Sequence, residues 1–453
     1  MNIRLCAAAA LLLATPLAAQ ETSVTLFSSG RVLVRRTLPI SVPAGTTTLP
    51  VALGQIASGD FAVLEPGVTL ERFAFDPAWN EEALLRRHVG ERFMLRRGTD
   101  TPFPAKLISM DPERWDIGLD GNAVVFGRPG QVLWKESMVP AAPTADLTLK
   151  SDRSHQGVKV MYSLSGANWD ASYRLYLGGS GRVEGNALIS TGTLDFANAE
   201  VQLLAGDIGA PPMAPGPRPM YEMAARAKAM DVAGGAPSEE SVGEARLYTL
   251  PDRVSFTPGT QLMLPLFNPV GAKAERRYTV AGGIPYYGGF GQVEDEQEVP
   301  VSVAYRLDRK LGTAFGDLPL PAGSVQVFDL DKAGRTQLVG MGNIGHTAPG
   351  EEMLVNTGTA FDVTARRTQT GFTTSRTTTT PTRTIAMATF RVDLQNAKDS
   401  AVVVEVREDR GGEWSVVESS VTPQKRSASR VVFPVTVPAK GKATLTYRVR
   451  VVW

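Results

Sequence analysis

The sequence contains very little cysteine and histidine: one Cys, at position 6, and 3 His in 453 residues. A single thiol excludes a disulfide framework, an Fe–S cluster and a Cys-based zinc site. The chain also has no marked excess of positive or negative charge, since 47 basic residues balance 46 acidic ones. A balanced chain gives no electrostatic reason to expect nucleic acid or an anionic bilayer as its partner.

Long apolar runs are absent beyond the N-terminus. Residues 5–14 form an apolar stretch behind the single charge of Arg4, and small residues follow up to Ala19. This pattern is typical of a secretory signal peptide, and we expect cleavage after Ala19. Cleavage would remove Cys6, leaving no thiolate nucleophile. No later stretch approaches the roughly 18 apolar residues of a transmembrane helix. The sequence therefore predicts an exported protein of the periplasm or cell envelope, with no transmembrane helix.

The remaining chain is typical of β structure. Residues 24–34 alternate apolar and polar side chains, as do 402–407 and 443–452 further on. Gly (44 residues) and Pro (31 residues) are frequent between such stretches and mark turns. We predict a mainly β, multi-domain protein. No repeat of 20–50 residues stands out, which makes propellers and solenoids unsuitable folds.

Residues 20–140 are predicted to form an N-terminal β module with one short helix. Asn80 can cap a helix over 80–88, which ends before Gly90. Short strands are predicted near 92–96, 105–110, 115–119, 123–126 and 131–134. A helix followed by five short strands is the outline of a small barrel of the Sm or SH3 type.

Three further regions follow. Residues 141–209 are predicted to be a β-sandwich region. Residues 210–246 are rich in Pro, Gly and Ala, which predicts a flexible linker or insertion. Residues 247–453 are predicted to form a C-terminal β domain, also of the sandwich type.

A set of short motifs recurs in a recognisable order. They are residues 162–173 (YSLSGANWDASY), 199–207 (AEVQLLAGD), 247–251 (LYTLP), 276–278 (RRY), 318–323 (LPLPAG), 328–334 (FDLDKAG), 345–351 (GHTAPGE), 416–420 (VVESS) and 446–450 (TYRVR). Together they resemble the bacterial family called domain of unknown function 4139, whose wider relatives include proteins named mucoidy inhibitors. The resemblance runs from about residue 146 to the end. It implies an exported, β-rich protein and carries no catalytic residues with it.

One segment has the composition of a recognition surface. Residues 282–291 are rich in Gly, hold Tyr286, Tyr287 and Phe290, and precede an acidic run at 294–296. Aromatic side chains on a Gly-rich loop suit a binding surface, although the same rings can also fold back onto a sheet. No Lys or helix start follows, so it is not a phosphate loop. These three aromatics are the candidate binding residues.

Other aromatics have a simpler interpretation. Tyr162, Trp169 and Tyr173 lie on or beside neighbouring predicted strands. A sugar platform would use such rings, but sandwich cores use them more often because each ring buries a large apolar area. We predict core packing.

Catalytic and metal-binding patterns are weak. The three histidines, His88, His155 and His346, lack metal-ligand spacing. His346 lies in a turn-like setting and could act as a base, but no nucleophile lies near it in sequence. Residues 329–334 resemble the start of a calcium loop, yet position 340 is Gly rather than the required Glu, which favours a hairpin turn.

Two carboxylates, Glu405 and Glu408, lie close together in sequence, but Glu405 belongs to an alternating strand whose charged face is expected to be solvated. We therefore predict no catalytic residues, no metal site and no cofactor.

Two other surfaces leave alternatives open. Residues 366–383 are rich in Thr and Arg, which predicts an exposed hairpin whose charge could also meet an acidic envelope polymer. The last strand ends on Trp453, as the strands of many outer-membrane barrels do, but we interpret it as the edge of a sandwich.

The leading functional hypothesis is a non-enzymatic binding or structural role at the envelope, towards another protein or a surface polysaccharide. The alternatives are a hydrolase or other enzyme assembled from distant residues, and an outer-membrane β-barrel.

Overall fold

The computed structural model describes residues 22–75, 77, 80–139, 142–206, 238–242, 245–285, 291–292, 296–378 and 380–453. Within these residues the chain forms 32 strands, one α-helix and one short 3-10 helix. Among them, no helix is both long and apolar enough to cross a membrane. The mainly β fold, built from several separate sheets, is confirmed.

The first half of the chain contains both helices. Its elements are β1 (Thr22–Phe27), β2 (Arg31–Val42), β3 (Gly45–Ala52), β4 (Ile56–Val63), β5 (Val68–Phe75), α1 (Glu81–Arg87), β6 (Arg92–Arg96), β7 (Phe103–Met110), β8 (Glu113–Asp116), β9 (Val124–Phe126), β10 (Gln131–Leu133), the 3-10 helix (Glu136–Met138), β11 (Thr144–Ser151), β12 (His155–Ser165), β13 (Asn168–Tyr176), β14 (Arg182–Ser190) and β15 (Phe196–Ala205).

The second half is built from strands alone where the structure describes it. They are β16 (Ser238–Val242), β17 (Ala245–Thr249), β18 (Val254–Phe256), β19 (Gln261–Gly271), β20 (Ala274–Ala281), β21 (Gln297–Val299), β22 (Val301–Leu307), β23 (Gly323–Leu330), β24 (Thr336–Ile344), β25 (Met353–Thr359), β26 (Val363–Arg376), β27 (Thr384–Asn396), β28 (Val402–Asp409), β29 (Glu413–Ser419), β30 (Gln424–Lys425), β31 (Arg430–Val437) and β32 (Lys442–Val452).

The chain divides into two compact units. The first holds the residues up to Trp169 together with Ile189–Leu262, and the second holds Asp170–Leu188 and Met263–Trp453. The predicted region 141–209 contributes to both, because β11, β12 and β15 pair in sheets of the first unit, whereas β13 pairs in parallel with β23 of the second. Such pairing between distant strands leaves no mark in local composition.

The first unit contains three sheets. The largest has the order β16-β17-β15-β1-β2-β12-β4, with β18 also paired to β15, and a three-stranded sheet has the order β3-β11-β5. The predicted linker 210–246 lies largely outside the described residues. Its last part forms β16 and the start of β17, which pair antiparallel.

The predicted N-terminal helix and five strands are present. Asn80 caps α1, since its side chain accepts the backbone N–H of the third helical residue over 2.9 Å. Acidic residues occupy the first turn of α1 and arginines its last, which suits the helix dipole. Leu85 packs into a core with Phe93, Leu107 and Trp115. The sheet has the order β10-β6-β7-β8-β9, and among the described strands β9 and β10 are not paired with each other, so closure into a barrel is not found here.

The second unit is a sandwich with an additional sheet. The two sandwich sheets have the orders β25-β22-β20-β28-β31-β30 and β21-β26-β27-β32-β29, and the additional sheet has the order β19-β14-β13-β23-β24. The last strand, β32, pairs with both β27 and β29, so its prediction as an edge strand is wrong. Alternate residues of both sandwich sheets form one apolar core, which includes Val280, Phe390, Val404 and Phe433. The apolar side chains of the alternating strands therefore face this core, as the alternation in the sequence predicts.

Candidate functional site

The candidate binding residues Tyr286, Tyr287 and Phe290 lie outside the described residues. The structure describes the chain on either side of them, at residues 282–285 and 291–292. Both flanks belong to the second unit, and what holds them in place defines the candidate site.

The first flank leaves β20 and is attached to β28 and to the residue that follows it. Gly282 N–H donates to the carbonyl of Arg407 over 2.6 Å, and the N–H of Ile284 donates to Glu408 Oε2 over 3.4 Å. The carbonyl of Pro285 accepts from the guanidinium of Arg410. The Ile284 side chain is buried in the sandwich core. Backbone, polar and apolar contacts thus position the chain immediately before Tyr286.

Glu408 belongs to a buried polar network that three different strands supply. Arg367 Nη2 of β26 donates to Glu408 Oε1 over 2.9 Å, and the Tyr447 hydroxyl of β32 donates to the same oxygen. The hydroxyl oxygen in turn lies 3.3 Å from Arg367 Nη2. The guanidinium carbon is 3.8 Å from the centroid of the Phe390 ring, a cation–π contact. We refer to Arg367, Glu408 and Tyr447 as the buried polar network.

Glycine is required at the start of the segment because the network approaches the backbone closely. A Cβ on Gly282 would collide with the carboxylate of Glu408, and one on Gly283 would collide with the guanidinium of Arg367. A Cβ on Gly291, at the other end of the segment, would meet no atom within 4 Å. The two glycines at the start of the segment therefore serve packing against the network.

The network perturbs the ionisation of its own members. Burial raises the pKa of the Glu408 carboxyl above its ordinary value, and the charge of Arg367 together with the hydrogen bond from Tyr447 opposes that rise. Burial lowers the pKa of Arg367, but Tyr447 and Glu408 outweigh it, so that pKa lies above its ordinary value. Burial and the charge of Glu408 raise the pKa of the Tyr447 hydroxyl well above its ordinary value. A fully buried carboxyl is tolerated here because three donors meet it.

The second flank is attached to the same strand that carries Arg367. Gln369 Nε2 donates to the carbonyl of Gly291 over 3.4 Å, and Arg366 pairs with Glu296 over 3.1 Å. β21 then pairs antiparallel with β26, where Val299 lies opposite Ala365. The first flank is therefore held by β28 and Arg410, and the second flank by β26.

The side chains of the buried polar network bind one another. Arg367 and Tyr447 both donate to the Glu408 carboxylate, which also accepts the backbone N–H of Ile284, and all three side chains are buried.

Sequence reasoning missed this network, although a signal for it exists. The sequence predicts a solvated face for the strand at Glu405 and does not predict that Glu408 is fully buried. It lies in phase with Val402, Val404 and Val406, whose side chains face the core. Arg367 and Tyr447 are likewise in phase with buried apolar residues of their strands. A charged residue on the inward phase of an alternating strand is therefore the pattern that predicts such a site.

His346 does not form a nucleophile–base pair within the described residues. Its Nδ1 accepts the backbone N–H of Ala322 over 3.1 Å, so the neutral ring carries its proton on Nε2 and presents a donor. The neighbouring Thr347 hydroxyl donates to the carbonyl of Gly345 over 2.9 Å. The imidazole lies in an open groove of about 550 Å³ that also includes Glu351 and Glu352. Neither carboxylate is within ion-pair distance of His346, and the Glu351 carboxylate accepts the N–H of residue 348 instead.

The remaining candidates have structural roles. Tyr162, Trp169 and Tyr173 are buried, which confirms their prediction as core residues. The Asp331 carboxylate accepts from the N–H groups of Ala333 and Arg335 at 2.9 Å, which confirms the hairpin turn between β23 and β24. No group of three or more His, Cys, Asp or Glu side chains suited to a metal ion occurs in the described part of the chain.

The Thr- and Arg-rich stretch forms a long antiparallel hairpin of β26 and β27. The pairing runs from Val363 opposite Asn396 to Arg376 opposite Thr384. Beyond its last pair, Arg383 forms an ion pair with Glu413 over 2.7 Å. The expected hairpin is confirmed.

Comparison with known proteins adds no identification. No protein-family model matches the chain, and no curated protein matches it.

Proposed function

We propose that this chain is an exported envelope protein with a non-enzymatic binding role, and that residues 286–290 are its recognition segment. The partner is another envelope protein or a surface polysaccharide. The motifs that resemble the domain of unknown function 4139 family support the same assignment, because that family is exported and β-rich.

The observation that carries this proposal is the attachment of the segment's start to the buried polar network. A buried ion pair is a weak source of stability, since removing two charges from water offsets most of their attraction. Here the Glu408 carboxylate also accepts the backbone N–H of Ile284, and the ion pair leaves no room for a side chain at 282 or 283. Such costly positioning is useful where the following residues must present side chains to a partner.

The composition of the segment supports the same role. Tyr offers a large, rigid contact area that is apolar on its faces and polar at its tip, and Gly allows close approach of the backbone. Tyr286, Tyr287 and Phe290 provide three aromatic rings among five glycines within residues 282–291.

The test replaces the three aromatics together, as Tyr286→Ser, Tyr287→Ser and Phe290→Ser. Crosslinked capture from envelope extracts should fall, while the thermal midpoint of unfolding should change little. Phe361→Ser is the matched control, because Phe361 is 96% exposed in the turn between β25 and β26 and belongs to the same unit. It should leave capture unchanged.

Two results would oppose the proposal. A large loss of thermal stability in the triple variant would assign the rings to the core, and capture equal to that of the native protein would remove the segment from recognition. Digestion of the extract with protease or with polysaccharide hydrolases before capture distinguishes the two partner classes.

Mass spectrometry tests export. The mature chain should begin near Gln20, and an intact Met1 would overturn the proposal that the protein is exported.

A further inference from the structure

A second concave site lies in the sandwich of the second unit, away from residues 282–291 in sequence. It is a cavity of about 240 Å³ between strand β29 and the segment that contains β30 and the start of β31. β29 and β30 are the last strands of their respective sheets in the described chain. The cavity therefore occupies the open side of the sandwich, where the two edges do not pair.

Apolar side chains and polar groups both line the cavity, and Ser415 and Lys425 are its polar residues. Trp414 and Val416 face it from β29 and also pack on the sandwich core. Pro423, Ala428 and Val431 line the opposite side. The volume is below the usual range for drug-sized ligands, roughly 300–1,000 Å³, so the occupant is a small molecule with an apolar body.

One charge lies at the cavity. Lys425 is exposed and is the only charged residue of the lining. It forms no ion pair with any residue that the structure describes. The carboxylate of Glu413, which precedes Trp414 in sequence, pairs with Arg383 and Arg450. The Lys425 ammonium is thus available to an anion.

One donor in the lining also lacks a partner. The Trp414 Nε1–H is buried and has no hydrogen-bond acceptor among the described residues. A buried donor without an acceptor destabilises the folded protein. Because Nε1 has no contact with solvent, a ligand oxygen can reach it only after the indole turns, and the new hydrogen bond then satisfies the buried donor.

We propose that this cavity binds an amphipathic carboxylate, that is, an acyl chain of medium length with its carboxylate at Lys425 and Trp414. The apolar walls would hold the chain, and the ammonium and indole N–H would hold the carboxylate. A neutral apolar molecule leaves both donors unpaired, a cation is repelled by Lys425, and a compact inorganic anion gains nothing from the apolar walls.

The test titrates octanoate into the full chain labelled with ¹⁵N at the tryptophan indoles. The chain has 6 Trp, and the Trp414 signal is assigned by its loss in Trp414→Phe. The Trp414 signal should move in a saturable manner while the other indole signals stay in place. Octanol should bind more weakly than octanoate, and octylamine more weakly still.

Substitutions sharpen the test. Lys425→Gln should weaken octanoate by about two- to fivefold, as expected for an exposed ion pair, and should leave octanol unchanged. Trp414→Phe, followed by calorimetry, should weaken octanoate about tenfold. Ala428→Leu should block binding by filling the cavity. Lys442→Gln, an exposed lysine of the same sandwich outside the lining, is the control and should have no effect.

Two outcomes would overturn the proposal. The first is a Trp414 signal that does not respond to octanoate. The second is equal affinity for octanoate and octanol with no effect of Lys425→Gln, which would make the cavity a general apolar crevice. Lys425 is exposed, so its variant is expected to fold and this comparison remains decisive even if Trp414→Phe is unstable.

Discussion

Arg367 Nη2 lies 2.9 Å from Glu408 Oε1 in the interior of the second unit, with Arg367 only 6% exposed and Glu408 fully buried. The two residues come from strands of opposite sheets, since β26 belongs to one sandwich sheet and β28 to the other. Their ion pair therefore connects the two layers of the sandwich, and it does so next to the start of residues 282–291.

Arg367→Met should strongly destabilise the protein. Removing the guanidinium leaves the Glu408 carboxyl buried without its charged partner, which typically costs about 3–5 kcal/mol of the free energy of unfolding. Chemical denaturation would measure this loss. The double variant Arg367→Met with Glu408→Gln should lose less than the sum of the two single variants, because neither charge then remains buried. A loss below about 1 kcal/mol for Arg367→Met would show that this buried pair contributes no more to stability than an exposed pair does.

The stability of the protein should depend on pH through Glu408. Burial raises the pKa of its carboxyl above the ordinary value of 4.5, so between those two pKa values the folded protein binds one proton more than the unfolded chain. The free energy of unfolding relative to Glu408→Gln should therefore be greatest below about pH 4.5 and should fall as the pH rises through the folded pKa. Urea denaturation of both proteins across this range measures the difference. If the free energy of unfolding of the native protein relative to Glu408→Gln instead rises with pH, the charge of Arg367 lowers the pKa of Glu408 by more than burial raises it.

Local features of the fold could be predicted from sequence because their causes are local. The cap at Asn80, the charges within α1 and the turn at Asp331 each depend on residues close together along the chain. The burial of Trp169 and Tyr173 follows equally from strand alternation. In these places the residue pattern and the structure agree.

The pairing of strands and the buried polar network could not be predicted in the same way. β13 and β23 pair in parallel although some 150 residues separate Tyr173 from its partner Val325, and no local signal encodes that choice. Arg367 is 41 residues from Glu408 and 80 from Tyr447. Alternation predicts that each side chain faces inward, but only the packing of two sheets shows that they face one another.

Tyr162→Phe should not destabilise the protein, whereas Tyr447→Phe should. The Tyr162 hydroxyl is buried without a hydrogen-bond partner among the described residues, and burial raises its pKa to about 12. Its removal should leave the thermal midpoint unchanged or raise it. The Tyr447 hydroxyl donates to the Glu408 carboxylate, so its removal should cost about 2 kcal/mol, as expected for a hydrogen bond to a charged group. Calorimetry of both variants makes the comparison, and equal losses would contradict it.

Gly283→Ala should destabilise the second unit, whereas Gly291→Ala should not. A methyl group at 283 would overlap the guanidinium of Arg367, so either the ion pair or the backbone must shift, at a cost of about 1–3 kcal/mol. At 291 the same methyl group would meet no atom within 4 Å, and the change should lie within about 0.5 kcal/mol of zero. Denaturation curves of the two variants test this directly, and partner capture by Gly283→Ala extends the test to recognition.

The same variant tests whether the attachment of residues 282–285 to the network positions residues 286–290. If it does, Gly283→Ala should weaken partner capture under conditions where the protein remains fully folded. Loss of stability with native capture would restrict the network to a purely structural role.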